Sequence, residues 1–284
     1  MTRCLFVSDL HGQIDRYQKL FHVMAEEKPE GVFIGGDFLP AGSSRGHAVV
    51  QDFVAGYLPD ELTRLRTSLA GDFPRIFLIM GNDDERAAEP AVQELERRGL
   101  LEYIHDRKRN LEQFVAYGYA YVPPTPFLLK DWERYDVSRY IDPGDISPEE
   151  GWRSVPVPER ERKHSTIKSD LDRLTGDEAL DQAVFLFHAP PYQTNLDRAA
   201  LDGSMIDGVP MDIHVGSIAV RRFIEARQPL LTLHGHIHES AALTGSWRDT
   251  IGRTHLFSAA HDGSELAVVS FELENVESAT RRLL

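Results

Sequence analysis

Short apolar segments that each end in a polar block constrain this chain more than any other feature of its sequence. Five such segments are followed at once by aspartate, asparagine or histidine, in the blocks Asp9-Leu10-His11, Gly36-Asp37, Gly81-Asn82, His188 and His236-Ile237-His238. Segments with helical spacing lie between several of them, so the sequence predicts an α/β fold. In open α/β sheets the ligand crevice lies at the carboxyl ends of the strands. We therefore expect the five blocks to converge although they are far apart along the chain.

The predicted elements follow from the apolar runs and from the residues that interrupt them. Strands are predicted over residues 3–8, 32–34, 75–80, 114–122, 183–187 and 230–233, and at about 253–258 and 265–272. Helices are predicted from residue 14 to before Pro29, at about 44–71, 89–99 and 165–174, and after residue 218. We interpret His261-Asp262-Gly263 as a hairpin turn between the last two strands. Asp84 and Glu85 are interpreted as residues at the start of a helix, where the helix dipole favours acidic groups, and a role in supporting the neighbouring polar blocks is the less favoured alternative.

One segment differs from the rest of the chain in composition. From Pro123 to Pro158 it holds seven of the sixteen prolines together with Trp132 and Trp152, and it shows little periodicity. We therefore treat residues 1–284 as a single domain with an insertion at about 123–165. Long irregular connections are commonly lids, binding loops or disordered segments. The sequence leaves open whether the insertion is a cap or lid over a site or a structural addition, and it favours packing roles for the two tryptophans.

Composition and charge exclude several classes of protein. The chain has 284 residues, a formal net charge of −14 and one cysteine. A single cysteine excludes an internal disulfide and a thiolate zinc site, and no apolar run is long enough for a signal peptide or a membrane helix. The acidic charge opposes bulk binding to nucleic acid. We expect a cytoplasmic protein with neither a membrane nor bulk nucleic acid as a partner, and the sequence leaves homo-oligomerisation open.

The side chains of the five blocks have the chemistry of a metal centre. They comprise two carboxylates, one amide and four imidazoles, without a thiolate. Such oxygen and nitrogen ligands suit divalent manganese, iron or zinc, and a carboxylate can bridge two ions. Each block alone is weak evidence, because Asp212-Ile213-His214 repeats the D-x-H pattern away from any predicted strand end. The prediction therefore depends on the position that all five blocks share.

The ordered blocks D-x-H, G-D, G-N, H and G-H-x-H resemble those of the calcineurin-like metallophosphoesterases, with a further likeness to their small cytosolic bacterial and archaeal members. The resemblance spans Asp9 to His238 and implies a two-sheet αββα sandwich. It implies two divalent ions, manganese first, with iron, zinc or nickel as alternatives. It implies one ion on Asp9, His11 and His238, a second ion on Asn82, His188 and His236, and Asp37 as the bridge. In such a centre a metal-bridging hydroxide attacks phosphorus in line.

The block Gly81-Asn82-Asp83 departs from the family pattern, which usually has histidine after the asparagine. That histidine protonates the leaving oxygen or binds a phosphoryl oxygen, whereas an aspartate of ordinary pKa, about 3.9, is ionised at neutral pH. Three interpretations stay open. Asp83 is an acid of raised pKa, or another group such as His214 replaces the missing histidine, or the leaving group needs no acid. We favour the last two.

An ionised Asp83 repels a singly charged phosphodiester less than a doubly charged monoester. The predicted function is therefore hydrolysis of a small phosphodiester, with Asp83 and His214 as the candidate catalytic residues. A phosphomonoesterase, such as a nucleotide or protein phosphatase, is the alternative enzyme. A catalytically inactive metal-binding scaffold for protein interaction is the alternative outside enzymes, and a single structural metal site is a third.

Overall fold

The apolar runs form the centres of two mixed β-sheets of six strands each, as a computed structural model describes for residues 1–40 and 47–284, and two further short strands pair in a small separate sheet. The strands are β1 (Arg3–Val7), β2 (Gly31–Gly35), β3 (Arg75–Ile79), β4 (Glu102–Tyr103), β5 (Arg107–Leu111), β6 (Phe114–Tyr119), β7 (Ala183–Phe187), β8 (Met205–Ile206), β9 (Val209–Pro210), β10 (Leu231–His234), β11 (Arg248–Ile251), β12 (Thr254–Ser258), β13 (Ala267–Glu272) and β14 (Asn275–Leu283). Strands β2 and β7 are buried along their whole length, which explains why they are apolar without alternation.

The helices within the described residues are α1 (Ile14–Glu27), α2 (His47–Asp52), α3 (Leu58–Leu69), α4 (Glu89–Arg97), α5 (Glu159–His164), α6 (Ile167–Thr175), α7 (Ile218–Arg227) and α8 (Ser240–Thr244). A π-helical turn at Phe53–Tyr57 joins α2 to α3. None of the helices described is long and apolar enough to cross a membrane.

Parallel pairing brings five of the predicted strand ends to one side of the two sheets. The first sheet has the order β14-β13-β1-β2-β3-β4, in which β1 to β4 run parallel and β13 is antiparallel to β1. The second has the order β11-β12-β10-β7-β6-β5, in which β12, β10, β7 and β6 run parallel. Because parallel strands end at the same edge, the loops after β1, β2 and β3 are neighbours, as are those after β7 and β10.

The two sheets pack face to face, and helices cover their outer faces. The ring of Phe257 on β12 lies 5.9 Å from that of Phe271 on β13, and these strands belong to different sheets. Tyr17 of α1 is buried against the first sheet, and Phe223 of α7 lies 5.0 Å from Phe185 of β7. The αββα sandwich predicted from the resemblance is thus confirmed.

The structure corrects several predicted elements. The strands β5, β11 and β14 were not predicted, because their exposed, charged residues give no apolar run. His261-Asp262-Gly263 is not a hairpin turn, since β12 and β13 lie in different sheets and the loop crosses between them. The predicted helix at about 44–71 is divided into α2, a π-helical turn and α3, and residues 44–46 of that prediction lie outside the described residues.

The proline-rich insertion is largely irregular and is tied to the body by isolated pairs and side chains. Its backbone pairs at Val122 with Glu133 and at Tyr135 with Thr166. Trp132 is fully buried, as its predicted packing role requires, whereas Trp152 is 42% exposed. The assignment of one domain with an insertion at 123–165, and its role as cap or lid, stay predictions.

Candidate metal centre

The seven predicted ligand residues all lie in loops that directly follow strands β1, β2, β3, β7 and β10. Asp9, Asp37, Asn82 and His188 are buried, and the other three, His11, His236 and His238, are partly exposed. The loops are joined by backbone hydrogen bonds, with the N–H of His11 donating to the carbonyl of Asp37 at 2.8 Å and that of Gly235 to the carbonyl of His188 at 2.9 Å. The residues predicted to converge are therefore brought together.

One cluster of possible ligands consists of Asp9, His11 and His238. The Nε2 atom of His238 lies 3.4 Å from Oδ1 of Asp9 and 3.3 Å from Nε2 of His11. Only one hydrogen atom can lie between two imidazole nitrogens at that distance, so a hydrogen bond uses the lone pair of one nitrogen alone. A divalent cation could instead bind the lone pairs of both. The donor set of this cluster thus fits a divalent ion.

A second cluster consists of Asp37, His188 and His236. The Nε2 atom of His188 lies 3.2 Å from Oδ2 of Asp37 and 3.0 Å from Oδ1 of Asn82. The Nδ1–H of His188 donates to the carbonyl of Gly35 at 2.7 Å, which leaves its Nε2 lone pair available to the cluster. Asp37 also belongs to a third group with His11 and Asp83, so its carboxylate lies between the two ligand clusters.

Carboxylates and imidazoles in this centre strongly shift one another's pKa values. Burial alone would lower the pKa of His188, but the facing Asp37 carboxylate outweighs burial and raises it to about 10. In the same way, burial would lower the pKa of His238, but its hydrogen bond to Asp9 and the charges of Asp9 and Asp37 together raise it to about 9. For His236, burial and the charge of His188 outweigh the charges of Asp37 and Asp9 and lower the pKa to about 3. Without a metal ion, the protonated His188 and His238 therefore supply the positive charge beside the carboxylates that a bound cation would supply.

The backbone at four of these residues has positive φ, which L residues rarely adopt. The angles are 56° at Asp9, 47° at His11, 49° at Asp37 and 75° at His236. Each such residue costs on the order of 1–2 kcal/mol relative to ordinary backbone. Strain of this kind persists where surrounding structure imposes it, and it is concentrated at functional sites.

Two glycines allow the loops to approach closely. A Cβ on Gly81 would lie 2.2 Å from Oδ1 of Asp37, and one on Gly235 would lie 2.8 Å from Oδ2 of Asp9. Only glycine fits at these two positions without displacing a candidate ligand.

Asp84 and Arg16 organise the candidate centre; the sequence prediction gave Asp84 a supporting role only as the less favoured alternative and did not single out Arg16. Asp84 is not at a helix start, since α4 begins at Glu89; it is fully buried and accepts backbone N–H groups of Phe38, Leu39 and Gly81. Burial raises its pKa well above the ordinary value. The buried guanidinium of Arg16 donates to the backbone carbonyl of Asp9 at 2.6 Å. A single sequence holds no pattern that marks either contact.

Asp83 lies at the edge of the centre, with its side chain 45% exposed. Its Oδ2 is 3.8 Å from Nδ1 of His11, and its N–H donates to Oδ1 of Asp37 at 2.8 Å. The charge of Asp37 and partial burial raise the pKa of Asp83 to about 6, whereas the sequence prediction assumed an ordinary value. Nearby cations would lower that pKa again.

His214 is placed in the long loop between β7 and α7. Its Nδ1 lies 2.8 Å from Oδ1 of the fully buried Asp197, and its ring lies 6.2 Å from that of Tyr192. The metal-ligand clusters found among the described residues do not include it. Its predicted catalytic role stays a prediction.

Two stacked mixed sheets with carboxylates and imidazoles at their strand ends define the metal-dependent phosphoester hydrolases as a class. The chain belongs to the calcineurin-like phosphoesterase family, whose model matches residues 2–240. The family resemblance found in the sequence is thus confirmed. A comparison with curated proteins finds no significant relative.

Solved structures share the fold at low sequence identity. TT1561 of Thermus thermophilus is 14% identical with a TM-score of 0.55, over 99% of this chain and 98% of that one. A dimetal phosphatase from Danio rerio is 12% identical with a TM-score of 0.51, over 94% of this chain and 91% of that one. At these identities the likeness establishes the fold alone.

Proposed function

We propose that this chain is a phosphodiesterase with two divalent metal ions. The observation that carries the proposal is the convergence of two ligand clusters at one edge of the sheets, with the Asp37 carboxylate between them. Asp9, His11 and His238 would hold one ion, and Asn82, His188 and His236 the other. Manganese is the first candidate metal, with iron, zinc or nickel as alternatives, because the donor atoms suit all four.

The bound ions would neutralise phosphoryl oxygens and lower the pKa of a water molecule. The protein's own part is to position the ligands, through the strained loops and through Asp84 and Arg16. Asp83 adds a carboxylate at the mouth of the centre. Because a diester carries one negative charge and a monoester up to two, this carboxylate favours the diester.

We assign to His214 the protonation of the leaving oxygen. Its hydrogen bond to Asp197 supports this assignment, since a carboxylate on Nδ1 fixes the ring orientation and leaves Nε2 as the nitrogen available to a substrate. The substrate would be a small phosphoester, and a cytoplasmic location stays a prediction from the sequence.

The test is a metal count combined with hydrolysis of bis-p-nitrophenyl phosphate by His236→Ala and His238→Ala. We expect two ions per chain in the unaltered protein, fewer in each variant, and loss of hydrolysis in both. His22→Ala is the matched control, because His22 is exposed on α1. A count of one ion, with hydrolysis unaffected by either substitution, would contradict the proposal.

A further inference from the structure

A depression lined by four arginines opens at the same edge of the sheets as the candidate metal centre. Arg86 lies on the loop that follows β3, and Arg134, Arg153 and Arg162 come from the insertion. Tyr121 lines the floor two residues after β6, which is parallel to β7. None of the seven candidate ligands lines it.

Two of these arginines lack an anionic partner. Arg134 is paired with Glu161 and Asp170, and Arg86 lies 3.4 Å from Glu89. Within the described residues, the one acceptor of an Arg153 hydrogen bond is the backbone carbonyl of Pro148, at 2.6 Å. In the described part of the chain no carboxylate lies within ion-pair distance of Arg153 or Arg162.

Unused hydrogen-bond donors also face this region. The Nε atom of Arg162 is buried without a partner among the described residues. The hydroxyl of Tyr121, which is 5% exposed, accepts from Arg86 at 3.3 Å and from Arg134 at 3.0 Å. Its own hydrogen has no acceptor among the hydrogen bonds of the described chain. Buried donors without acceptors are costly, so an acceptor is expected here.

The acidic groups on the walls are already engaged. The carboxylate of Asp131 accepts the backbone N–H groups of Arg86 and Ser154 and the hydroxyl of Ser154. Glu133 is paired with the buried Lys130 at 2.6 Å. Both carboxylates therefore already have partners within the protein, whereas some guanidinium donors have none among the described residues.

We infer that this depression binds a phosphate-class oxyanion, with Arg153, Arg162 and Tyr121 as donors. Guanidinium groups bind such anions through paired, charge-assisted hydrogen bonds. An anion between two neighbouring guanidinium groups also relieves their repulsion. Burial lowers the pKa of Arg153; the charge of Asp131 opposes this effect, and the charge of the neighbouring Arg162 adds to it.

Two kinds of molecule could supply this oxyanion, and both carry the same phosphate group. It is either a second phosphate group on a substrate held at the metal centre or free inorganic phosphate. The first source rests on the proposed function, whereas phosphate binding to the depression does not depend on hydrolysis.

The first experiment is calorimetric titration of inorganic phosphate into the full chain, with and without added metal. In the metal-free chain we expect one phosphate site, weakened about tenfold or more in the Arg153→Gln/Arg162→Gln double variant. Arg160→Gln is the matched control, because Arg160 is exposed on the same helix and does not line the depression. Tyr121→Phe, which keeps the ring, should also weaken phosphate binding. Absence of binding to the unaltered chain, or equal binding by the double variant with an unchanged circular dichroism spectrum, would overturn the inference.

The second experiment distinguishes the two sources. It compares the KM of thymidine 5′-(p-nitrophenyl phosphate) with and without a 3′-phosphate. If the anion belongs to the substrate, the 3′-phosphate lowers KM in the unaltered enzyme and loses this effect in the double variant. If KM is the same for both compounds while phosphate still binds, free phosphate is the ligand. Failure to hydrolyse either compound would count against the proposed function and leave the phosphate titration to decide the site.

Discussion

Asp83 shows how one residue can set the charge preference of the centre. It occupies the position where related sequences usually have histidine, and it lies between His11 and Asp37 without being buried. A carboxylate there acts on the substrate through its charge, because the cations of a loaded centre would keep it ionised. The proposed preference for a diester therefore depends on this side chain.

Replacing Asp83 with histidine should raise monoester hydrolysis relative to diester hydrolysis by about tenfold, because a negative charge is removed beside the phosphoryl oxygens. The measurement compares kcat/KM for p-nitrophenyl phosphate and bis-p-nitrophenyl phosphate. Asp60→His, at an exposed position on α3, is the control. An unchanged ratio in Asp83→His would remove the electrostatic explanation for diester preference.

His105 predicts how stability depends on pH away from the metal centre. It accepts the N–H of Ala120 through Nδ1, and burial, followed by the charges of Arg134 and Arg86, lowers its pKa well below the ordinary value. The folded state keeps His105 neutral, whereas the unfolded state binds a proton below about pH 6.5. Stability is therefore lost as the pH falls below that value.

We expect the free energy of unfolding to fall, through this group alone, by about 2 kcal/mol between about pH 6.5 and pH 5. His105→Gln keeps an acceptor for the Ala120 N–H but cannot titrate, so it should lack this component. Urea denaturation of both proteins across this range gives the difference. Parallel pH dependences in the two proteins would show that His105 is not kept neutral by the fold.

At the scale of elements, the buried apolar strands could be predicted from the sequence, whereas the exposed strands at the edges of the sheets could not. The strands that lead into the metal centre are buried, apolar and terminated by glycine or polar residues, so their carboxyl ends could be placed from sequence. Strands β5, β11 and β14 are edge or near-edge strands with exposed charged residues, and only pairing with a neighbour identifies them. The hairpin prediction at His261-Asp262-Gly263 was wrong because local turn chemistry does not tell which sheet the next strand joins.

The same limit applies to the candidate site. Its candidate ligand residues were predictable because each has a distinct side-chain chemistry and follows a strand. Asp84 and Arg16 were not, since they act through backbone groups of residues distant in sequence. The depression of arginines likewise required the fold, because its walls come from the β3 loop, the β6 end and the insertion.

Asp136 connects the insertion to helix α7. Its carboxylate accepts the N–H of Ile218 at 2.7 Å, the N–H of Ala219 at 3.2 Å and the hydroxyl of Ser217. Asp136→Ala should lower the free energy of unfolding by about 1–3 kcal/mol, because buried donors at the start of the helix lose their acceptor. Asp177→Ala, at an exposed loop position, is the control for urea denaturation. Equal stability of both variants would mean that this contact does not hold the insertion to α7.

At the scale of the whole molecule, folding and metal binding should be linked. The ligands come from loops between residues 9 and 238, so an unfolded chain offers no assembled centre. A ligand that binds only the folded state stabilises it by about 2.7 kcal/mol at a hundredfold excess over its dissociation constant. The bound ions would also offset part of the chain's formal net charge of −14.

Removing metal with a chelator should therefore lower the Tm, and manganese should restore it. Differential scanning calorimetry of the unaltered chain, of His236→Ala and of the control His22→Ala measures the shift. We expect the change in Tm on metal removal to be smaller for His236→Ala than for the unaltered chain or for His22→Ala. A Tm that is independent of metal in the unaltered chain would be inconsistent with ions held by these loops.

The most direct test of the central claim is hydrolysis of bis-p-nitrophenyl phosphate and p-nitrophenyl phosphate by metal-stripped protein and by the same protein reloaded with manganese. The two compounds share a leaving group, so the ratio of their rates reports the charge preference of the centre. The account predicts hydrolysis only after reloading, with the diester preferred. If reloaded protein binds two ions tightly and cleaves neither compound, or cleaves only the monoester, the proposed phosphodiesterase activity is contradicted.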